Sequence, residues 1–245
     1  MNINQSVEIS IITVTLNNAE GLRKTLDSIW SQQNCDYEHI VIDGGSTDHT
    51  LNILHAAGDK IDYYLSEPDL GPYHAMNKGI KLAKGKWLIF MNSGDIFASG
   101  QILSELKQHL SDNVDVIYSD WSYLESGRLV KADIQKLNIR HQSLLYRRDL
   151  HETYGYYLVG KSVTISDYLF FLSIKNTRWQ YSPFPISICE EFGASSVTNH
   201  FYQRIASELI FGKRSRINCA VILLLYPFYK FLKLNVIKKL PRLYG

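Results

Sequence analysis

Two short apolar runs, each closed by an acidic turn containing glycine, constrain this chain more than any other feature. The first is Val41-Ile42-Asp43-Gly44-Gly45-Ser46-Thr47-Asp48 and the second is Phe90-Met91-Asn92-Ser93-Gly94-Asp95. Apolar runs of this length, bounded by turn residues, read as strands buried on both faces. In an α/β sheet, ligands collect outside the carboxyl ends of such strands. Two acidic turns at that edge imply a phosphate-bearing ligand held through a cation.

The neighbouring segments complete an α/β pattern. Glu8 to Thr15 is a β-branched apolar run, read as the first strand. Leu22, Leu26, Ile29 and Trp30 fall at helical spacing, predicting a helix over Ala19 to Gln33. Tyr37 to Ile42 is the second strand, and Ser46 or Thr47 is placed to cap a helix carrying Leu51, Ile53 and Leu54. A strand at Ile61 to Leu65, a helix at Tyr73 to Ala83 and a strand at Trp87 to Met91 follow. Three β-α units in a row predict a parallel sheet with right-handed crossovers.

Beyond Asp95 the alternation loosens into an α+β half. Ile102 to Leu110 reads as a helix and Val114 to Tyr118 as a strand. Trp121 to Val130 reads as a hairpin turning at Glu125-Ser126-Gly127, and Ser143 to Tyr146 as a strand. Asp167 to Ile174 reads as a helix, and Trp179 to Ile188, with two prolines, as an edge strand. The pattern divides the chain into residues 1–98, residues 99–205 and a tail, 206–245.

Bulk properties exclude several classes. Cys35, Cys189 and Cys219 are far apart and odd in number, which predicts neither a disulfide framework nor a metal-ligand spacing and fits a reducing compartment. The first residues carry no basic and apolar signal pattern, and the longest apolar run, Ala220 to Tyr229, is interrupted by Pro227. The expected location is the cytoplasm. Every charged side chain from Lys213 to Gly245 is cationic and stands among Ile, Leu, Val and Phe. That composition fits either a helix packed on the domain or one lying in a membrane interface, drawn to anionic lipid. Nucleic acid is disfavoured, because no aromatic stacking platform accompanies the basic residues.

Each polar constellation has a structural and a chemical reading. Asp43 to Asp48 serves as a tight strand-to-helix turn, or as a site where Asp43 accepts hydrogen bonds from a base or ribose. It is neither a GxGxxG fingerprint nor a Walker loop, so nicotinamide cofactors and P-loop chemistry are disfavoured. Asn92 to Asp95 is a polar turn, or a place where one carboxylate meets a hard divalent cation. Mg²⁺ takes only one or two protein carboxylates when phosphate oxygens fill the remainder of its shell. Between them, Ser66 to Gly79 gathers acidic, aromatic, His, Asn and Lys groups, with Asn77 and Lys78 placed to meet sugar hydroxyls or a diphosphate.

In order along the chain, Ile11 to Asn17, Val41 to Asp48, Glu67-Pro68-Asp69-x-Gly71-x-Tyr73, Ala75 to Gly79 and Asn92 to Phe97 resemble family 2 glycosyltransferases. The nearest branch is the one that includes colanic-acid and other bacterial surface-polysaccharide transferases. The resemblance covers about Ile9 to Gly193 and implies the Rossmann-like A-type glycosyltransferase fold, a mostly parallel central sheet flanked by helices. It implies transfer from a nucleotide-sugar donor, with Mg²⁺ or Mn²⁺ and inversion at the anomeric carbon. The acceptor implied is a saccharide or lipid-linked saccharide at the cytoplasmic face of the inner membrane, which the basic tail would touch.

Carried over by position, Thr13 and Val14 line the base pocket, and Asp43 and Gly44 meet the nucleoside. Asn92, Ser93 and Gly94 hold the donor, and Asp95 meets the cation. Gly44 and Gly94 stand where the family often has acids, leaving Asp95 as the sole carboxylate of its turn. Inverting transfer also needs a base to take the acceptor's proton. The family's base lies at a helix start in the second half, where this chain has Ser166-Asp167-Tyr168. Read structurally, Asp167 is an N-cap carboxylate, which a helix N-terminus keeps ionised. Arg140-His141-Gln142-Ser143 matches a His-Gln element of the branch, with His141 and Gln142 facing acceptor or diphosphate, or else closing a strand end.

Two alternatives stay open. A nucleotidyltransferase would carry a Gly-rich basic triphosphate loop after the first strand, and Asn17 to Gly21 is not one. A catalytically silent domain that binds a nucleotide sugar or a membrane partner is kept open by the glycines at 44 and 94.

Overall fold

β1 (Ile9–Thr15) is buried along its whole length, and its side chains serve two cores in alternation. Ile9 and Ile11 enter one, Ile12 and Val14 the other, as the period of two in a strand requires. The computed structural model describes residues 7–160, 162–191 and 198–235. After β1 come α1 (Ala19–Trp30), β2 (Glu38–Asp43), α2 (Thr50–Ala57), β3 (Tyr63–Ser66), α3 (Pro72–Leu82) and β4 (Trp87–Phe90). These are the predicted β-α units, shifted by a few residues at their ends.

Then follow β5 (Ile96–Phe97), α4 (Ile102–Lys107), β6 (Val116–Tyr118), β7 (Trp121–Tyr123), β8 (Leu129–Val130), β9 (Leu144–Arg147) and α5 (Leu150–Tyr154). α6 (Ser166–Ser173), β10 (Trp179–Tyr181) and β11 (Ser187–Cys189) close the larger unit, Met1–Gly193. β5 and α5 were not predicted: at two and five residues they are too short to show a period.

Seven strands form one sheet in the order β10-β6-β9-β4-β1-β2-β3. Only β9 is reversed, pairing antiparallel with both β4 and β6. The second half therefore extends the first half's sheet. One face packs on Met76 and Ile80 of α3 and on Phe170 and Phe171 of α6, the other on Ile29 of α1 and Leu103 of α4. Full burial of each such aliphatic contributes ~1.5–3 kcal/mol. α3 sits so close to β1 that a methyl group at Gly79 would collide with Ile12.

A smaller sheet, β5-β11-β7-β8, lies alongside. The predicted hairpin is β7 and β8, paired antiparallel. The run expected as one edge strand, Trp179 to Ile188, is two strands in two sheets: β10 is an edge, but β11 lies between β5 and β7. Pro183 and Pro185 separate them, since neither has an N–H to continue a ladder. The expected cap of α2 is also displaced. Ser46 and Thr47 bond elsewhere, and Asp48 Oδ1 accepts from Thr50 N at 3.0 Å.

The second unit is Ala194–Gly245, in which α7 (Thr198–Ile210) packs with α8 (Arg216–Asn235). Phe201 stacks on Tyr226 with ring centroids 3.5 Å apart. Residues 205 and 206, where the sequence pattern sets a boundary, both lie within α7, and the two compact units are Met1–Gly193 and Ala194–Gly245. Among the described residues, no helix is long and apolar enough to cross a membrane. The opening residues 1–6 and the basic residues Lys238, Lys239 and Arg242 lie outside the described part.

Candidate active site

Parallel strands β1, β2, β3 and β4 deliver their carboxyl ends to one edge, and the loops there hold the candidate residues. The turn after β2 is knitted by Asp43. Its carboxylate is fully buried and accepts from Ser46 N at 3.0 Å, Ser46 Oγ at 2.5 Å and Ser66 Oγ at 2.6 Å. Ser46 Oγ in turn accepts from Asn17 N at 2.7 Å. Asp43 thus ties three loops together, and its oxygens are occupied by protein donors.

Several other predicted donor contacts also face the protein. Thr13 is fully buried with its hydroxyl 3.1 Å from His39 Nε2, and Val14 packs in the core beside Phe90. Asn77 spends both ends of its amide on the Tyr157 backbone, at 2.8 and 3.0 Å. Side chains that read as polar and available are here the pins of the fold. Leu16, at 53% exposed, is what the tip of the first strand presents to solvent. Lys78 pairs with Glu67 across 2.8 Å, and this pairing holds the Glu67 carboxyl below its usual range.

The second turn behaves differently. Asn92 Nδ2 meets His141 Nε2 at 2.9 Å, while Asn92 Oδ1 is buried without a partner. Ser93 touches Asn18, the side chain that caps α1. Gly94 has φ +103°, a left-handed conformation open mainly to glycine. Asp95, 7% exposed, accepts from Glu190 N at 2.9 Å and from Gln142 Nε2 at 2.5 Å. Burial pushes its pKa up to about 6, against the lowering effect of the Glu190 amide and of His141. Gln142 is itself 5% exposed, and its Oε1 has no partner.

From the other half, the start of α6 presents Asp167. Its Oδ1 accepts from Tyr73 Oη at 2.7 Å and from Tyr168 N at 2.9 Å, and its Oδ2 lies 3.3 Å from His141 Nδ1. Burial raises the Asp167 pKa, but the hydrogen bonds from His141 and Tyr73 outweigh it, so the group sits below the usual carboxylate range. Asp167 is not the helix cap: that place belongs to Ile165, and Asp167 is the second helical residue. It is kept ionised by side chains from distant segments.

The fold therefore gathers Asn92, Asp95, His141, Gln142 and Asp167, with Gly44, Ser93 and Gly94 on the surrounding loops and Lys78 on α3. It adds Glu190, which no sequence motif names, and gives a place to Asp69 and Tyr73 of the Glu67 to Tyr73 motif. A Cβ at Gly44 would lie 2.7 Å from Asp69 Oδ2, and one at Gly94 would lie 2.5 Å from Glu190 Oε1. At each glycine where the family often has an acid, a carboxylate from another segment fills the space. Glu190 had a sequence signal, an apolar strand followed at once by Glu190-Glu191.

A family model described as "Glycosyl transferase family 2" matches residues 10–162. The chain belongs to glycosyl transferase family 2. Among similar proteins, the PGL/p-HBAD biosynthesis glycosyltransferase of Mycobacterium bovis is 36% identical over 159 residues, covering 60% of this chain and 62% of the relative. The UDP-Glc:alpha-D-GlcNAc-diphosphoundecaprenol beta-1,3-glucosyltransferase WfgD of Escherichia coli is 23% identical over 138 residues, 56% of this chain and 54% of that protein. The chain thus spans less than two thirds of either relative's length.

Among solved structures, S. aureus TarS in complex with UDP-GlcNAc superposes with a TM-score of 0.70 at 20% identity, covering 84% of this chain and 66% of that one. The mannosyltransferase PcManGT from Pyrobaculum calidifontis, in complex with GDP-Man and Mn2+, gives a TM-score of 0.58 at 17% identity, covering 83% of this chain and 61% of that one. The shared fold is the Rossmann-like A-type glycosyltransferase fold.

The family's divalent cation can be tested against this site. Asp95, the expected ligand, accepts one hydrogen bond at each oxygen and keeps a lone pair on each, and the Glu190 carboxylate stands beside it over the turn. Among the described residues, no group of three or more His, Cys, Asp and Glu could hold a metal. One or two carboxylates suffice for Mg²⁺ or Mn²⁺ when a diphosphate completes the shell. The donor set fits a cation brought in with a nucleotide, with Asp95 and Glu190 as the carboxylates that would hold it.

Proposed function

We propose that this chain is an inverting glycosyltransferase, moving a sugar from a nucleotide-diphosphate donor to a saccharide or lipid-linked saccharide during bacterial surface-polysaccharide assembly, a setting in which colanic-acid transferases also fall. The single observation that carries this is Asp167, a carboxylate held ionised at the meeting of the two halves, beside His141 and Asn92. In the proposed reaction an acceptor hydroxyl oxygen attacks the sugar's anomeric carbon as the bond to the diphosphate oxygen breaks. Asp167 accepts the hydroxyl proton, and the electron pair of the broken bond leaves with the nucleotide diphosphate. Lys78 and the backbone of the Asn92 to Gly94 turn would bind the diphosphate, and Leu16, Gly44 and Asp69 lie where the nucleoside would approach. Mg²⁺ or Mn²⁺ held by Asp95 and Glu190 would supply charge neutralisation to the diphosphate.

The smaller unit supports a peripheral place on the cytoplasmic face of the inner membrane. On α8, Ile217 is 76% exposed and Leu224 78% exposed, in a segment whose charged residues are all basic. Exposed aliphatics interleaved with cations suit a helix resting in an anionic lipid surface.

A second reading, a silent nucleotide-sugar-binding domain, is favoured by one feature: Asp43 and Asp95 both accept internal hydrogen bonds. The readings separate in one experiment. Nucleotide sugars are screened by thermal shift, since stabilisation follows affinity, and those that bind are assayed for transfer with Mn²⁺. Transfer that vanishes in Asp167→Asn while donor binding persists supports the enzyme. Undiminished transfer in that variant removes Asp167 from the mechanism, and binding without turnover by the native protein supports the silent domain.

A further inference from the structure

Asp167 is the only carboxylate of α6, yet the groups that aim it come from elsewhere. Tyr73 opens α3, immediately after Gly71 and Pro72, and reaches Asp167 Oδ1 across 94 positions of sequence. His141 reaches Oδ2 from the short turn before β9. On its far side, His141 Nε2 meets Asn92 Nδ2. Since the Asn92 amide nitrogen can only donate, Nε2 is the acceptor and the ring proton lies on Nδ1, directed at Asp167. The result is a continuous chain, Asn92 to His141 to Asp167 to Tyr73, with both ends in the first half of the protein.

We infer that Tyr73 is a positioning residue for the proton acceptor, fixing the Asp167 carboxylate so that Oδ2 is the oxygen offered to the acceptor hydroxyl. The inference rests on the glycosyl-transfer reading above. A carboxylate oxygen has about two lone pairs. Both at Oδ1 are occupied, by the Tyr73 hydroxyl and the Tyr168 amide. Oδ2 has a single contact, at 3.3 Å, and keeps room for a substrate proton. Without the phenol, both oxygens compete and the carboxylate is free to rotate.

The surroundings make Tyr73 suited to this and to little else. Burial, with the Asp167 charge beside it, pushes the phenol far above its ordinary pKa, so it stays a donor and does not release its proton. Its ring leans on Tyr157, with centroids 5.7 Å apart. The loop before it is closed by its own bonds, Gly71 N to Asp69 Oδ1 at 2.7 Å and Leu70 N to His74 Nδ1 at 3.2 Å. That same Asp69 carboxylate stands over Gly44. The base is thus tied to the loop that faces the proposed donor. Among the described residues, the titratable groups facing Asp167 are Tyr73, His141 and Tyr157.

The test is Tyr73→Phe, which keeps the ring and its packing. Carboxylate titration by carbon NMR on the nucleotide-free protein, with the signal assigned through Asp167→Asn, should show the Asp167 pKa rising by about one pH unit, because a hydrogen bond to the charged form is lost. With the donor found by the thermal-shift screen, kcat should fall at least ~10-fold as the base loses its aim. Donor KM should change less than about twofold, and the acid limb of the kcat profile should move to higher pH. An unchanged Asp167 titration, or a fall in kcat with no movement of the acid limb, overturns the inference and leaves Tyr73 as packing alone. If Asp167→Asn itself keeps full turnover, it is the base assignment that fails.

Discussion

The carboxylate of Glu190 occupies the space that a side chain at Gly94 would need, with Oε1 2.5 Å and Oε2 2.7 Å from the place of its Cβ. Gly94 is required by its φ of +103°, while the Glu190 carboxylate, the far end of a flexible side chain, would swing aside from a new methyl group. Gly94→Ala should cost ~1–3 kcal/mol of stability from backbone strain, read by urea denaturation. Glu190→Gln should leave stability nearly intact, as an uncharged isostere. It should weaken Mn²⁺ binding in the presence of UDP at least ~10-fold, read from the free Mn²⁺ signal in electron paramagnetic resonance. Unchanged Mn²⁺ affinity would remove Glu190 from the cation site.

His39 supplies a pH-dependent term far from that edge. Burial pushes its pKa down to about 3, so the folded protein holds it neutral beside Thr13. The unfolded chain binds its proton near pH 6.5, hence the unfolded state gains more protons as pH falls. The stabilising contribution is whole above the unfolded value and is lost progressively from about pH 6.5 down towards the folded value. Between pH 7 and pH 5 the loss should be ~2 kcal/mol. His39→Gln, which keeps a partner for Thr13 but cannot titrate, should flatten that part of the stability profile in urea melts at the two pH values.

Asn77 tests whether a residue of the predicted donor site is instead structural. Its amide satisfies both the N–H and the C=O of Tyr157. Asn77→Ala leaves two buried backbone groups without partners and should cost ~2–4 kcal/mol. Nucleotide affinity of the folded fraction should stay within about twofold, measured by calorimetry below the melting transition. A selective loss of affinity at unchanged stability would return Asn77 to the ligand.

For the smaller unit, Ile217→Ser together with Leu224→Ser should reduce co-sedimentation with phosphatidylglycerol vesicles at least ~10-fold. Each aliphatic buried in the interface contributes ~1.5–3 kcal/mol. Vesicles of neutral lipid should bind the native protein more weakly and lose less. Equal sedimentation of variant and native protein would make α8 a packing element only.

What the sequence determined by itself is the frame. β-Branched, largely apolar runs such as Ile9 to Val14 specify strands buried on both faces, and their spacing with Leu22, Leu26 and Ile29 specifies parallel β-α units, because these are periodicities within short windows. The same local reading located the two acidic turns and the helix that begins near Asp167. It did not reveal which way polar side chains point. Asp43 and Asn77, which read as ligand groups, also pin the fold, since hydrogen-bond donors reach them from Ser66 and Tyr157 on other elements. Asp167 was placed at a helix cap, while its charge is held by Tyr73 and His141. The places of Glu190 over Gly94 and of Asp69 over Gly44 are set by loops that the fold brings together. A buried hydrogen bond is satisfied by whatever partner the fold delivers, and for Tyr73 and Asp167 that partner lies 94 residues away. No local pattern encodes such a pairing, so the site's orientation belongs to the tertiary structure.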